Sequence, residues 1–421
     1  MKRSIFGYIA TLCAGVCMTL ASCSEKEEPV VPEPKCTVLV YMVADNNLGG
    51  YGVMVDSRNL SQMQKAVNNG GLNGGRLLVF YDPYEVEESP RLLEITEEGA
   101  QILKTYTEDV SCLDPDFMRG VLDDAAKEAP APKNWLVLWS HGTGWIETSD
   151  SRSAAGAPVT QSFGKDVHPE AYEMNITTLA SVLGDNRFYD VIYFDCCFMG
   201  CAEVMYELRN AAKEIVASPT ELPIEGMPYE VNIPAMFADD ATAETVAKNT
   251  LNYYLNDLTA TNNSCSISVI NTSAMDEFAE VTRSVNETGA IAGYSYVGVP
   301  LFRRTGGTNS HTYDMGHYIN SLGIDDDLKA AWNAVYKKVV TYYGATPVCY
   351  GLDMSEFTGL GCYVVNSTGD VYVGAYYNQS WWKDVVSYNP SFDYRPSTGG
   401  GSGDGSMDFN PSSVPVSGKA F

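Results

Sequence analysis

Two short apolar runs in this chain end in side chains that can do chemistry. Trp135 to Trp139 (WLVLW) leads into Ser140-His141-Gly142-Thr143-Gly144-Trp145, and Val191 to Phe194 (VIYF) leads into Asp195-Cys196-Cys197. Thiol catalysis requires a nucleophilic sulfur and a group that takes and returns its proton, and an imidazole beside a cysteine supplies both parts. Gly142 and Gly144 let the backbone approach a ligand closely, and the Gly142 N–H can donate to an oxyanion. Each residue also has a plainer role. A histidine at a strand end is often a polar turn residue, and a cysteine behind a buried strand is often a small core hydrophobe. The remaining histidines, His168, His311 and His317, have no comparable setting and are expected to be surface or packing residues.

These two ends must be brought together by the elements around them. The sequence alternates strand-like and helix-like segments, which predicts a parallel or mixed sheet covered by helices. Strands are expected at 37–43, 76–81, 91–95, 135–139, 191–194, 266–269 and 361–365. Helices are expected at 60–67, 114–127 with Asp114 as its cap, 175–183, 199–212, 242–255, 275–284 and 326–343. The polar stretch Glu147 to Glu173 has no clear period and reads as a long surface loop. In an open α/β sheet ligands collect at the carboxyl ends of the strands. If the strands ending in His141 and in Asp195 are parallel neighbours, the two ends meet there.

The histidine segment WLVLWSHGTGW (135–145) and the longer cysteine segment YDVIYFDCCFMGCAEVMYELRNAAKEIVASPTELPIEGMPY (189–229) resemble the two motifs of clostripain-like cysteine peptidases, family C11 of clan CD. CTVLVYMVADNNL resembles that family's first strand and turn. GLGCYVVNSTGD, followed by YYNQSWWKDVVSY, is similar to its C-terminal strand and final helix. With gaps, the resemblance covers residues 36 to 390. It implies an α/β/α sandwich of the caspase-like kind with a mostly parallel central sheet. It also implies His141 and Cys197 as the catalytic dyad, with the N–H groups of Gly142 and Cys197 as the oxyanion donors. Asp195 would bind a basic side chain before the scissile bond. The family commonly matures by cleavage of the loop between its motifs, for which Arg152 and Lys165 are the candidate sites. The alternative is a single chain that works uncut. Ser140, Thr143 and Ser218-Pro219 depart from the family's usual residues, which touches specificity more than the dyad. Two other readings compete: a catalytically silent surface protein that binds peptides, glycans or a partner, and a thiol hydrolase or transpeptidase of other specificity.

The chain opens with Lys2-Arg3, an apolar run from Ile5 to Leu20 and then Leu20-Ala21-Ser22-Cys23. This resembles a bacterial lipobox, so residues 1–22 are expected to be a signal peptide and Cys23 the lipidated residue. Residues 23–35, rich in acidic residues and proline, form a tether that holds a peptidase domain, 36–390, off a membrane. Pro396 onward is rich in glycine, serine and proline, so 391–421 is expected to be a flexible tail. The expected location is the bacterial cell envelope, on the outer membrane or the cell surface. Removing Lys2 and Arg3 with the leader takes the formal charge from −26 to −28. An acidic, lysine-poor surface lacks the footprint that nucleic acids or anionic membranes need, and it suits a cationic substrate. The family resemblance implies protein or peptide substrates with Arg or Lys as the partners. The membrane is met through the N-terminal lipid alone.

Of the 11 cysteines, eight lie beyond Cys23, scattered through strand-like runs with no disulfide framework. Cys196, Cys197 and Cys201 cluster without a CxxC pair or a nearby histidine, so no metal site is expected there. No Walker A, dinucleotide-binding or HExxH pattern is present. Some members of the resembled family respond to calcium, and acidic residues are plentiful here, but none follow an EF-hand order. Calcium is thus the one cofactor left open.

Overall fold

The computed structural model describes residues 33–50, 52–107, 110–146, 162–184, 189–256, 263–290, 301–302, 312–365 and 373–392. The leader, Cys23, Arg152, His311 and the tail beyond 392 lie outside these residues.

The first ten strands are β1 (Thr37–Val43), β2 (Arg76–Asp82), β3 (Arg91–Thr96), β4 (Gly99–Thr105), β5 (Asn134–Trp139), β6 (Phe163–Asp166), β7 (Tyr172–Met174), β8 (Tyr189–Asp195), β9 (Ala212–Ala217) and β10 (Ser266–Asn271). Six more follow. They are β11 (Leu301–Phe302), β12 (Thr312–Asp314), β13 (Val340–Ala345), β14 (Val348–Cys349), β15 (Leu352–Asp353) and β16 (Gly361–Tyr363). The helices are α1 (Val55–Asn68), α2 (Pro115–Glu128), α3 (Ile176–Gly184), α4 (Ala202–Glu207), α5 (Tyr229–Phe237), α6 (Ala243–Asn256), α7 (Met275–Glu287), α8 (Met315–Ser321), α9 (Asp326–Val339), α10 (Val373–Tyr376) and α11 (Ser380–Asp384).

Nine strands form the central sheet in the order β13-β10-β9-β8-β5-β1-β2-β3-β4. The middle five, β9 to β2, pair in parallel. Both margins are antiparallel. Every residue of β1 is buried, as expected of a parallel strand covered on both faces. Successive side chains alternate between those faces. Val38, Val40 and Met42 pack with α1, α5 and α6. Leu39, Tyr41 and Val43 share a core with α2, α3, α4, α7 and α9. Each such apolar side chain contributes about 1.5–3 kcal/mol by leaving water. The result is the three-layer α/β/α sandwich with a mostly parallel core.

Local chemistry sets several boundaries. Asp114 caps α2 by accepting from the N–H groups of Asp116 and Phe117, with Pro115 opening the helix. Three expectations need correction. Residues 147–173 are not all loop, because β6 and β7 form a hairpin. The helix expected over 199–212 is only α4, after which the chain turns back into β9. Ile215 and Val216 are buried there between β8 and β10. The helix expected to reach Tyr343 stops at Val339. Val340 to Tyr343, rich in β-branched and aromatic residues, joins β10 instead.

Candidate active site

The parallel pairing of β5 with β8 sets the geometry. Trp139 pairs with Asp195, so Ser140 and Cys196 lie one residue beyond the ladder, and His141 and Cys197 lie two. The two cysteines differ sharply. Cys196 is buried, its Sγ is 3.0 Å from the Leu138 carbonyl, and burial pushes its thiol well up, which keeps it neutral. Cys197 is half-buried and lines a cavity of about 350 Å³ together with His141, Gly142, Trp139 and Asp195. The Leu222 N–H donates to Cys197 Sγ at 3.3 Å, and the Leu222 carbonyl oxygen lies 3.9 Å from the same sulfur.

The histidine loop and the cysteine loop are packed backbone to backbone. A Cβ on Gly142 would meet the Cys197 carbonyl oxygen at 2.7 Å and Cys196 Cβ at 2.9 Å. Glycine alone fits there. Phe198, directly after Cys197, has φ 62°, a left-handed conformation costly for an aromatic residue and typical of functional turns. It is held by Phe198 N–H to Thr220 O at 2.9 Å and Gly200 N–H to Ser218 O at 2.8 Å. On the histidine side, Thr143 N–H donates to Ser162 O and Gly164 N–H to His141 O. Gly142 is thereby bridged to Phe163. Strand alternation turns the Gly142 N–H away from these bonds.

His141 is anchored from β1. Its Nε2 lies 2.9 Å from Asn47 Oδ1, in the turn that follows the strand. Asn46 fixes that turn: its Nδ2 donates to Val43 O and Lys165 O, and its Oδ1 accepts from Leu48 N–H.

Asp195 ends β8 beneath the cavity. Its Oδ1 accepts from Met227 N–H and its Oδ2 from the Tyr229 hydroxyl, both at 2.9 Å. Burial raises its carboxyl to about 6, and those two donors oppose the rise. Gly226, at φ 67°, lies against it, where a Cβ would come within 2.8 Å of Oδ1.

Beside the site sit three further buried carboxylates: Asp45, Asp82 and Asp166. Burial and mutual repulsion raise Asp82 well above its ordinary value and Asp166 to about 7. Asp82, Cys112 and Asp166 are the one set of potential metal ligands among the described residues. Asp166 already accepts from Ser111 Oγ and Cys112 N–H. Asp45 accepts from the His168 ring at 2.8 Å, and His168 is not among the residues that line the cavity. His317 contacts Glu356 at 3.0 Å, far from the dyad in sequence and outside the cavity lining.

The C-terminal part supports the cysteine loop. Gly361 N–H donates to Gly200 O at 2.8 Å, and Trp145 packs against Tyr363 and Tyr376. Tyr350, at φ 47°, joins the cavity lining from the β14–β15 turn. Lys165 lies inside β6, with its N–H bonded to Ser140 Oγ and its carbonyl to Asn46 Nδ2. Its peptide group is therefore engaged, unlike that of a freely cut loop.

Sequence reasoning named His141, Gly142, Asp195 and Cys197, and the fold brings all four to one cavity. It missed Asn47, Leu222, Tyr229 and Tyr350. Asn47 carried a signal, standing in a polar turn straight after an apolar strand. The others arrive from elements whose position depends on tertiary packing.

Comparison with known proteins agrees with this geometry. Residues 40–355 match the model of the clostripain family, Peptidase_C11. Clostripain from Hathewaya histolytica is 26% identical over 216 residues, which span 47% of this chain and 41% of that protein. The chain thus spans less than half the length of that relative. A secreted C11 cysteine protease from Bacteroides thetaiotaomicron, solved with an irreversible peptide inhibitor, superposes with TM-score 0.70 at 26% identity. That match covers 83% of this chain and 99% of the other. An inactive zymogen of a C11 protease from Parabacteroides distasonis gives TM-score 0.69 at 28% identity, covering 84% and 99%. With motifs, topology and a family match over most of its length in agreement, the chain belongs to the clostripain family of cysteine peptidases.

Proposed function

We propose that this protein is an exported, lipid-anchored cysteine endopeptidase that cleaves after arginine or lysine, with Cys197 as nucleophile and His141 as its acid–base partner. The observation that carries the reading is register. The Trp139–Asp195 pair sets His141 and Cys197 level at the carboxyl ends of adjacent parallel strands, on one cavity. The Cys197 sulfur attacks the peptide carbonyl carbon, and the oxygen takes the electron pair under the N–H groups of Gly142 and Cys197. Collapse of the tetrahedral adduct breaks the C–N bond, and His141 protonates the departing amine. Water then releases the acyl group from sulfur.

Asp195 supports the basic preference. An ionised carboxylate accepts at about four lone-pair sites. Met227 N–H and the Tyr229 hydroxyl occupy two of them, which leaves capacity for a guanidinium or ammonium group. The lipobox-like Leu20-Ala21-Ser22-Cys23 supports anchoring, and no helix among the described residues is long and apolar enough to cross a membrane. Cys23→Ser is expected to leave the envelope fraction. Continued membrane association of that variant removes the anchor reading. A zymogen among the structural relatives supports maturation by cleavage, and the expected cut is after Arg152, which has the small neighbours Ser151, Ser153, Ala154 and Ala155, rather than at the engaged Lys165 peptide.

The deciding experiment is cleavage of a peptide library by the mature protein, with Cys197→Ala as control. Products ending in Arg or Lys, absent with the control, are expected. Even turnover across neutral residues rejects the basic preference, and undiminished activity of the control rejects the nucleophile.

A further inference from the structure

We propose that Asn47 is a positioning residue for His141: its side-chain oxygen fixes the imidazole tautomer, so that the proton shuttled in catalysis is carried on Nδ1. This rests on the dyad reading above and adds a third member that neither the motifs nor the family match assigns.

The geometry is direct. Asn47 Oδ1 lies 2.9 Å from His141 Nε2, and an amide oxygen can only accept, so Nε2 must carry the proton. In the neutral ring the basic nitrogen is then Nδ1. The Cys197 proton moves to Nδ1 as the S–C bond forms, and the same proton passes to the leaving amine as the C–N bond breaks. The Nε2 proton stays in place throughout. While the ring is an imidazolium, the Nε2–H to Oδ1 contact becomes charge-assisted and strengthens, which stabilises the charge that catalysis creates.

The support behind Asn47 is rigid. Asn46, the neighbouring residue, is buried and donates to Val43 O and Lys165 O, while Gly50 N–H and Leu48 N–H close the turn back onto Asn46. Gly164 N–H donates to the His141 carbonyl and Lys165 N–H to Ser140 Oγ. The β6 strand therefore grips both the histidine loop and the Asn turn, and holds the two at a fixed spacing. Asn47 itself is exposed, so the fold does not require its side chain. The turn that carries Asn47 is firmly held, and among the described residues its carboxamide makes one hydrogen bond, to the histidine, which fits a positioning role.

Asn47 lines the cavity with His141, and the titratable groups that line it with them are Asp195, Cys196, Cys197, Glu221 and Tyr350. Titration of Asp195 and Glu221 is common to parent and variant, so a comparison between them isolates the Asn47 contact.

The test compares parent, Asn47→Ala, Asn47→Asp and His141→Ala as full mature chains. The readouts are pH profiles of kcat/KM on an arginyl reporter peptide and of Cys197 alkylation by iodoacetamide. Loss of a hydrogen bond to a charged group predicts that Asn47→Ala falls roughly tenfold to a hundredfold, chiefly in kcat. A carboxylate at the same place favours the imidazolium. The limb belonging to the imidazole should therefore move to higher pH in Asn47→Asp and to lower pH in Asn47→Ala. Asn47→Asp keeps the shape of the side chain, so it reports even if the alanine variant folds poorly. Activity of Asn47→Ala within twofold of parent, or equal losses in both variants with no limb displaced, overturns the role while an inert His141→Ala leaves the dyad standing. Full activity of His141→Ala overturns the dyad and this role with it.

Discussion

Trp139 sits opposite Asp195 across the parallel β5–β8 ladder, and this one pairing places His141 level with Cys197. The same register turns Cys196 the other way, with its sulfur against the Leu138 carbonyl. Two adjacent thiols thus have unrelated environments. Cys197→Ala should lose activity by at least roughly a thousandfold, as members of a catalytic unit do. Cys196→Ala should keep most activity and lose about 1 kcal/mol of stability with its buried contact. Kinetics of the two variants side by side check this. An active Cys197→Ala with a dead Cys196→Ala would place the register one residue out.

Gly142 offers a test of how closely the two loops must pack. An alanine there drives its Cβ into the Cys197 carbonyl and into Cys196 Cβ, neither of which is a flexible tip. The expected cost is about 1–3 kcal/mol of stability from overpacking. A fall in kcat/KM of at least roughly tenfold should accompany it, because the oxyanion donors move apart. Gly184 gives the control, since a Cβ there meets nothing within 4 Å among the described residues. If Gly142→Ala and Gly184→Ala have indistinguishable kinetics, close contact between the loops is not needed for activity.

Asp195 carries a pH signature. Its carboxyl, raised by burial to about 6, is ionised above that pH and neutral below it. Preference for arginine over a neutral residue should therefore collapse as pH falls through about 6. Asp195→Asn should lose on the order of a hundredfold in that preference at pH 8, the cost of leaving a buried cation unpaired. The stability sign is opposite. A folded pKa raised above the unfolded one contributes stability that is present at about pH 4 and lost as pH rises through about 6. Asp195→Asn should shrink that loss, measurable as thermal midpoints across the range. An unchanged slope would mean that the carboxylate is not desolvated as the fold places it.

Much of this arrangement was legible because the core strands are nearly pure apolar runs. The WLVLW and VIYF segments have no other home than a sheet covered on both faces, and the polar residues that end them must then face the carboxyl edge. What was hidden depends on partners distant in sequence. AKEIVA at 212–217 has no strong period, and becomes β9 only because β8 and β10 flank it. Val340 to Tyr343 continues an amphipathic helical pattern but is captured by β10. The Tyr229 hydroxyl on Asp195 comes from α5, whose helix contains Pro234, a residue that argues locally against a helix. The contact between Asn47 and His141 joins residues 94 apart in sequence, which no local pattern can reveal.

The last prediction concerns what a cut between the two motifs does to the molecule. Residues 147–161 lie outside the described residues, but the chain on either side is firmly held. Thr143 N–H donates to Ser162 O, and Ser162 Oγ donates to Ile146 O at 3.3 Å, so both ends of the segment meet in one bonded neck beside His141. Downstream of that neck, β6 is tied to the histidine loop and to Asn46. Across the sheet, β5 and β8 pair along five consecutive positions. Cleavage after Arg152 should therefore leave two polypeptides bound as one folded body, the histidine on one and the cysteine on the other. Denaturing electrophoresis should show two fragments where native mass shows one species, and activity should appear with the cut. Cys197→Ala should stay uncut if the enzyme processes itself, and trypsin added in trans should still cut that variant. Fragments that separate under native conditions would contradict the neck as the structure draws it. An uncut parent with full activity would show that the protein works as a single chain.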